Sequence, residues 1–264
     1  MGLIKLANQI RRDVIEMIYQ AGSGHPGGSL SCADILAYLF ATELKGAFED
    51  PNRDRFILSK GHACPALYSA LSYKGYIGRD ELWTFRKVGS RLQGHPSVRH
   101  VPQCETSTGS LGQGFAVGGG IALGLRHRGS QGRVYVMLGD GELQEGIVWE
   151  TAMSAGHRGL HNLCAIVDYN KLQSDDLNEV IMGLEPMYAK WEAFNWNVIA
   201  INGHNWQSIE EAFTRARENK IKPSVIIAHT VKGKGVDYME RVPRWHGSVT
   251  LTDEQYQEAM RCLS

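Results

Sequence analysis

The side chains best suited to chemistry in this sequence are an aspartate and an asparagine thirty positions apart. Asp140 stands in Gly139-Asp140-Gly141, directly after the apolar run Arg133–Leu138. Asn170 stands in Asp168-Tyr169-Asn170, directly after the run Leu163–Val167. A strand–helix–strand unit takes about 30 residues. The two should therefore lie side by side at the carboxyl ends of neighbouring strands. One carboxylate and one amide oxygen suit a hard divalent cation such as Mg2+ or Ca2+. Leu172, two positions after Asn170, could add its backbone carbonyl. Such a cation keeps positions open for water or phosphate oxygens. The helix after Gly141 points its N-terminus at the same place, which favours an anion. No Lys or Arg is assigned to that anion, and the metal neutralises it.

Elements of a particular kind must carry these residues. Leu3, Leu6, Ile10, Val14 and Met17 recur at spacings of three and four, which predicts an amphipathic helix ending at Gly22. A Gly/Pro-rich loop, GSGHPGG, follows. Ser31 with Asp34 reads as the cap of a second helix over SCADILAYLFATEL. Strand-length apolar runs lie at Arg55–Leu58, Arg133–Leu138, Leu163–Val167, Asn197–Ile201 and Pro223–Ala228. Helix-length stretches lie between them, among them Gln144–Ala155 and Gln207–Asn219, and a last helix is expected around Thr252–Cys262. This alternation predicts an α/β fold: a doubly wound, mostly parallel sheet with helices on both faces. With no repeat or linker-like stretch, residues 1–264 read as one domain.

Composition narrows the function. Lys+Arg and Asp+Glu both number 28, so the formal net charge is zero, and no basic run marks a surface for nucleic acid or an anionic membrane. No apolar run approaches the ~20 residues of a membrane span, and the N-terminus lacks the apolar centre of a signal peptide. The five cysteines form no CxxC pair and are odd in number, which argues against a disulfide framework or zinc site and for a reducing cytoplasm. The 30 glycines concentrate in loops, where they let backbone approach a ligand at the carboxyl ends of strands. Gly112, Gly114 and Gly118 give a dinucleotide-like pattern, but the preceding QCETST is polar, so the strand required by that fingerprint is missing. Lys232 and Lys234, in TVKGKG, could hold a substrate phosphate, but they read as a solvated turn and are left out of the site.

Five loops occur in an order that resembles the transketolase family: GSGHPGG (22–28), SKGHACPALY (59–68), QGHPS (93–97), STGSLGQG (107–114) and GDGELQEG (139–146). WHG (245–247) resembles its late histidine loop, and GDG…DYN resembles the thiamine diphosphate fingerprint. The resemblance implies thiamine diphosphate and Mg2+ as cofactors, with Ca2+ or Mn2+ able to substitute. Asp140, Asn170 and Leu172 would hold the metal. His62 and His246 would contact the diphosphate or sit near the reacting carbons. His25 and His95 would line the sugar channel. An imidazole can donate to phosphate or hydroxyl and move a proton near pH 7. Gly109, Ser110 and Leu111 would lie against the aminopyrimidine ring; the family has proline where this chain has Ser110. Gly141 and Glu142 would complete the diphosphate loop. Glu145 matches a glutamate facing a second active site across the dimer, with a plain surface glutamate as the alternative.

In that family a second domain carries the glutamate that activates the cofactor, and a full chain is more than twice this length. The resemblance therefore implies the N-terminal subunit of a split transketolase. Its partner would be a C-terminal subunit with the pyrimidine-binding and C-terminal domains, in an α2β2 assembly. The expected reaction moves a two-carbon ketol unit between a ketose phosphate and an aldose phosphate. Two alternatives stand beside it. One is a subunit of another thiamine diphosphate enzyme, either deoxyxylulose-phosphate-synthase-like or decarboxylating a 2-oxoacid. The other is a non-catalytic cofactor-binding subunit.

Overall fold

The computed structural model describes residues 1–264. In chain order the elements are α1 (Leu3–Ala21), α2 (Pro26–Ser31), α3 (Ala33–Tyr38), β1 (Arg55–Leu58), α4 (Cys64–Tyr73), α5 (Gln113–His127), β2 (Val134–Gly139), α6 (Gly146–His157), β3 (Leu163–Tyr169), α7 (Asn178–Ile181), α8 (Met187–Ala193), β4 (Asn197–Asn202), α9 (Trp206–Glu218), β5 (Ser224–His229) and α10 (Asp253–Cys262). The strands form one sheet in the order β1-β2-β3-β5-β4, and every pairing is parallel. All five expected strands are present, each starting within one residue of its apolar run.

Successive residues of a strand face opposite sides, and two cores result. Tyr135, Met137, Cys164 and Ile166 pack into the larger core, with side chains of α1, α3, α4 and α9. Val134, Val136, Leu138, Ala165 and Val167 pack into the smaller one, with side chains of α5, α6 and α8. The strand order explains this division. The chain steps one way along the sheet from β1 to β3, then returns from β4 to β5. Crossovers are right-handed, so the return puts α9 on the opposite face from α5 and α6. Two glycines let helices approach closely. A Cβ on Gly118 would lie 2.5 Å from Val136 Cγ2, and one on Gly156 would lie 1.8 Å from the Phe194 carbonyl oxygen.

The second helix departs from expectation. It begins earlier, at Pro26, which occupies a first-turn position where its missing N–H costs nothing. Ser31 is that helix's last residue and caps nothing; Cys32 (φ −92°, ψ 1°) breaks the run before α3. Both expected capping side chains serve buried tertiary partners. Ser31 Oγ donates to Asp168 Oδ2 at 2.6 Å. Asp34 accepts Arg11 at 2.5 and 3.1 Å and lies 2.7 Å from His204 Nδ1. By contrast, α10 carries the full capping box, Thr252 with Gln255. No helix is long and apolar enough to cross a membrane, and all five cysteines are free thiols.

Candidate active site

Registered pairing across β2 and β3 sets Gly139 opposite Asp168. Asp140 and Asn170 therefore emerge at the same sheet edge. Asp140 is 3% exposed, and its oxygens accept the backbone N–H groups of Gly141 (2.8 Å) and Lys171 (2.5 Å). No basic side chain pairs with it. Burial, then the nearby charge of Asp168, pushes its carboxyl up to about 6. A buried carboxylate without a paired cation is costly. With the Asn170 amide oxygen and the Leu172 carbonyl, it forms a hard-oxygen set of the kind a divalent ion takes. Gln173 Nε2, on the same wall, is buried without a partner.

A cavity of about 310 Å³ opens beside this edge. Its walls include His25, His62, His95, His246, Gly109, Leu111, Asp140, Gly141, Glu142, Glu145, Asn170 and Leu172. The apolar side chains among its lining are Leu111 and Leu172, so the cavity suits a polar, charged ligand. Ser110 is outside that lining and is exposed. Its neighbour Gly109 has φ +153°, which a side-chain-bearing residue rarely adopts, and a Cβ there would lie 3.3 Å from the His95 ring.

The four histidines come from four loops and converge on one another. His25 has ring centroids of His62, His246 and His95 at 5.4, 6.0 and 6.3 Å, and His62 lies 5.2 Å from His246. Burial is the main reason all four favour the neutral ring. Arg86 adds to it for His25, which falls to about 4. Lys232 adds to it for His246, which falls to about 3. Lys60 adds to it for His62, and Arg86 for His95. At neutral pH these are uncharged imidazoles, each with one donor and one acceptor.

Glu142 faces inward. Its carboxylate accepts Ser59 Oγ at 2.5 Å and the backbone N–H groups of Gly112 at 2.7 Å and Gly139 at 3.0 Å. It ties three loops together behind the cavity. Glu145 is exposed, at the N-cap of α6.

Two lysines belong to the cavity that sequence reasoning did not place there. The expected solvated turn at Lys232 is overturned, since the residue is 1% exposed. The chain after β5 folds back under the Leu172 loop. There the ammonium donates to the carbonyls of Leu172 and Gln173, both at 2.9 Å, and lies 2.8 Å from His246 Nδ1. An ammonium is only a donor, so Nδ1 accepts and the ring proton sits on Nε2. Burial lowers Lys232 to about 8. Lys234 is part-exposed and pairs with Glu240 at 3.1 Å. Lys60, also 1% exposed, donates to the Gly28 carbonyl at 2.7 Å and pairs with Asp168. Asp168 is fully buried. Burial opposes its charge, but Lys60, Ser31 and Thr230 outweigh that and hold its carboxyl below the usual range. The signal for Lys60 was its position, two residues past the carboxyl end of β1. Lys232 lies in the same way three residues past β5.

Over residues 4–263 the chain matches the family described as transketolase, thiamine diphosphate binding domain. It is 42% identical over 257 residues to one subunit of the apulose-4-phosphate transketolase of Phocaeicola vulgatus, covering 96% of this chain and 91% of that protein. It is also 42% identical over 257 residues to 6-deoxy-6-sulfo-D-fructose transketolase subunit SqwG of Clostridium sp., covering 96% and 93%. The transketolase structure from Campylobacter jejuni superposes with a TM-score of 0.93 at 34% identity, over 100% of this chain and 43% of that one. The chain thus spans less than half of a solved transketolase but nearly all of the two subunit relatives. Fold, ordered loops and likeness agree: this chain belongs to the transketolase family of enzymes, in its thiamine diphosphate binding domain.

Proposed function

We propose that residues 1–264 act as one domain that holds the diphosphate and metal of thiamine diphosphate, as the N-terminal subunit of a two-chain transketolase. The observation carrying this reading is the convergence of Asp140, Asn170 and four neutral imidazoles on one polar cavity. Asp140, Asn170 and the Leu172 carbonyl would bind Mg2+, and Gly141 would offer its backbone at the N-terminal side of the following turn. Bound there, thiamine diphosphate supplies a carbon nucleophile that can stabilise a carbanion. The protein's own part is binding, orientation and proton placement. Lys60 and Lys232 add positive charge beside the diphosphate. His246 presents Nε2–H, because Lys232 occupies Nδ1. His62 would donate to phosphate oxygen. His25 and His95 would read sugar hydroxyls, each able to donate and accept a hydrogen bond without carrying charge. Gly109 and Leu111 would support the aminopyrimidine by backbone contact, with Ser110 facing outward. Glu142 would hold the surrounding loops rather than touch the cofactor. Glu145 would meet its counterpart across an assembly, since it is exposed on this chain.

A second polypeptide would complete the site, two pairs forming an α2β2 enzyme in the cytoplasm; five unpaired thiols support the compartment. Two of the relatives are named for apulose-4-phosphate and for 6-deoxy-6-sulfo-D-fructose, both sugars with an anionic group. A ketose bearing a phosphate or sulfonate is therefore the proposed donor. The test is product analysis of the two-subunit enzyme with such a ketose plus an aldose phosphate, and separately with pyruvate. Ketol transfer with the former and no turnover of pyruvate is expected; decarboxylation of pyruvate would favour the other thiamine diphosphate chemistry.

A further inference from the structure

At the opposite end of the sheet lies a second polar cavity, of about 230 Å³. One water needs only ~10–15 Å³, so a multi-atom polar ligand fits. Arg133 and Asn162 immediately precede β2 and β3, Arg126 lies in the last turn of α5, and His161 and Lys220 come from flanking loops. A six-residue strand such as β2 spans roughly 20 Å, and that length separates this cavity from the one at Asp140.

The charge balance here is one-sided. Arg126, Arg133, His161 and Lys220 line the cavity with no Asp or Glu among its lining residues. Arg133 is 8% exposed, yet its guanidinium pairs with no carboxylate. Its side chain makes one hydrogen bond, from Nη2 to the Ala216 carbonyl at 2.9 Å, and lies 6.0 Å from the centre of the Tyr135 ring. Its Nε is buried with no partner, as are His161 Nδ1 and Asn162 Oδ1. Asp54 accepts the Arg133 backbone N–H at 2.8 Å rather than the guanidinium. Burial, then Arg126, Arg133 and Lys220, lowers the basicity of His161, as expected where cations crowd together. A nine-tenths-buried guanidinium without an acidic partner is costly in a folded protein, and a bound anion offsets that cost.

We infer that this cavity binds a phosphate group, with Arg133 as its buried anchor and Arg126, Lys220 and His161 at its rim. A phosphate monoester accepts several N–H bonds at once and matches a guanidinium fork. The Asn162 amide oxygen then accepts from a protonated phosphate oxygen or a bridging water. Inorganic phosphate and the phosphate of a small ester share this chemistry.

Calorimetric titration of the full chain with inorganic phosphate, and separately with glycerol phosphate, tests the site. Lys220→Glu should weaken binding about tenfold or more, and Arg126→Ala should weaken it in the same direction. Both positions are exposed, so the fold should survive, and circular dichroism checks this. Equal weakening for both probes assigns the site to the phosphate group itself. Tighter binding of glycerol phosphate, lost in the same variants, assigns it to an ester. Phosphate binding that neither variant alters, or no phosphate binding beyond that displaced by thiamine diphosphate, overturns the proposal.

Discussion

The proposed metal-holding role and fold stability make opposite demands on Asp140. Its carboxylate is buried beside Asp168 without an ion-pair partner, so replacing it with a neutral isostere removes a cost. Asp140→Asn is expected to leave the urea midpoint of the cofactor-free chain unchanged or raised. The same substitution should weaken Mg2+-dependent thiamine diphosphate binding by roughly 100-fold. Parallel equilibrium unfolding and calorimetry read both effects. The histidines make a second prediction. His25 has a folded value near 4 against an ordinary 6.5, so the folded state prefers the neutral ring. As pH falls below about 6.5, the unfolded chain takes up the proton first. Stability from this group is full above about pH 6.5 and is lost as pH falls toward 4. Urea midpoints measured between neutral pH and the folded value should fall less steeply for His25→Gln than for the parent chain. Asp140 and Asn170 were legible in the sequence because each follows closely on the end of an apolar run, and a run's end fixes a sheet edge. Lys60 and Lys232 were not. A lysine beside glycine in a loop reads as solvated, and only the fold brings the Leu172 and Gln173 carbonyls and Asp168 to these ammonium groups.

Among the elements, strands were the most legible, because a parallel sheet buried on both faces demands continuous apolar runs. The helix before α3 was less so. Ser31 and Asp34 carry the residue types of a capping box, yet both are drawn into buried contacts with Asp168, Arg11 and His204. Local capping preference, about 1 kcal/mol, yields to the stronger demand that no buried charge be left unpaired. The α6 helix shows the same priority in its packing. Gly156 sits against the backbone carbonyl of Phe194, which cannot move without shifting the approach to β4. Gly156→Ala is therefore expected to destabilise the chain by about 1–3 kcal/mol despite alanine's better helix propensity. Chemical denaturation would show it as a lowered midpoint; an unchanged or raised midpoint would mean that α6 has room to move.

For the molecule as a whole, the ordered loops pointed to the cofactor and the family, and the composition argued against nucleic acid and membrane partners. The residues of one chain say less about the sugar, because two imidazoles that would read hydroxyls, His25 and His95, do not distinguish one anionic ketose from another. The cavity also has a one-sided chemistry. Its imidazoles, its lysines and the oxygens proposed to hold a metal are here, while beyond Asp140 the carboxylates of the lining are the exposed Glu145 and the already engaged Glu142, neither of which is placed to protonate a pyrimidine ring. On the two-chain function proposed above, this chain should do nothing until its partner arrives. The decisive experiment measures ketol transfer while this chain is titrated with the C-terminal transketolase subunit from the same organism, with thiamine diphosphate and Mg2+ in excess. Neither chain alone should turn over, and the rate should saturate at equimolar mixing. Full transketolase turnover by this chain alone would contradict the half-site reading.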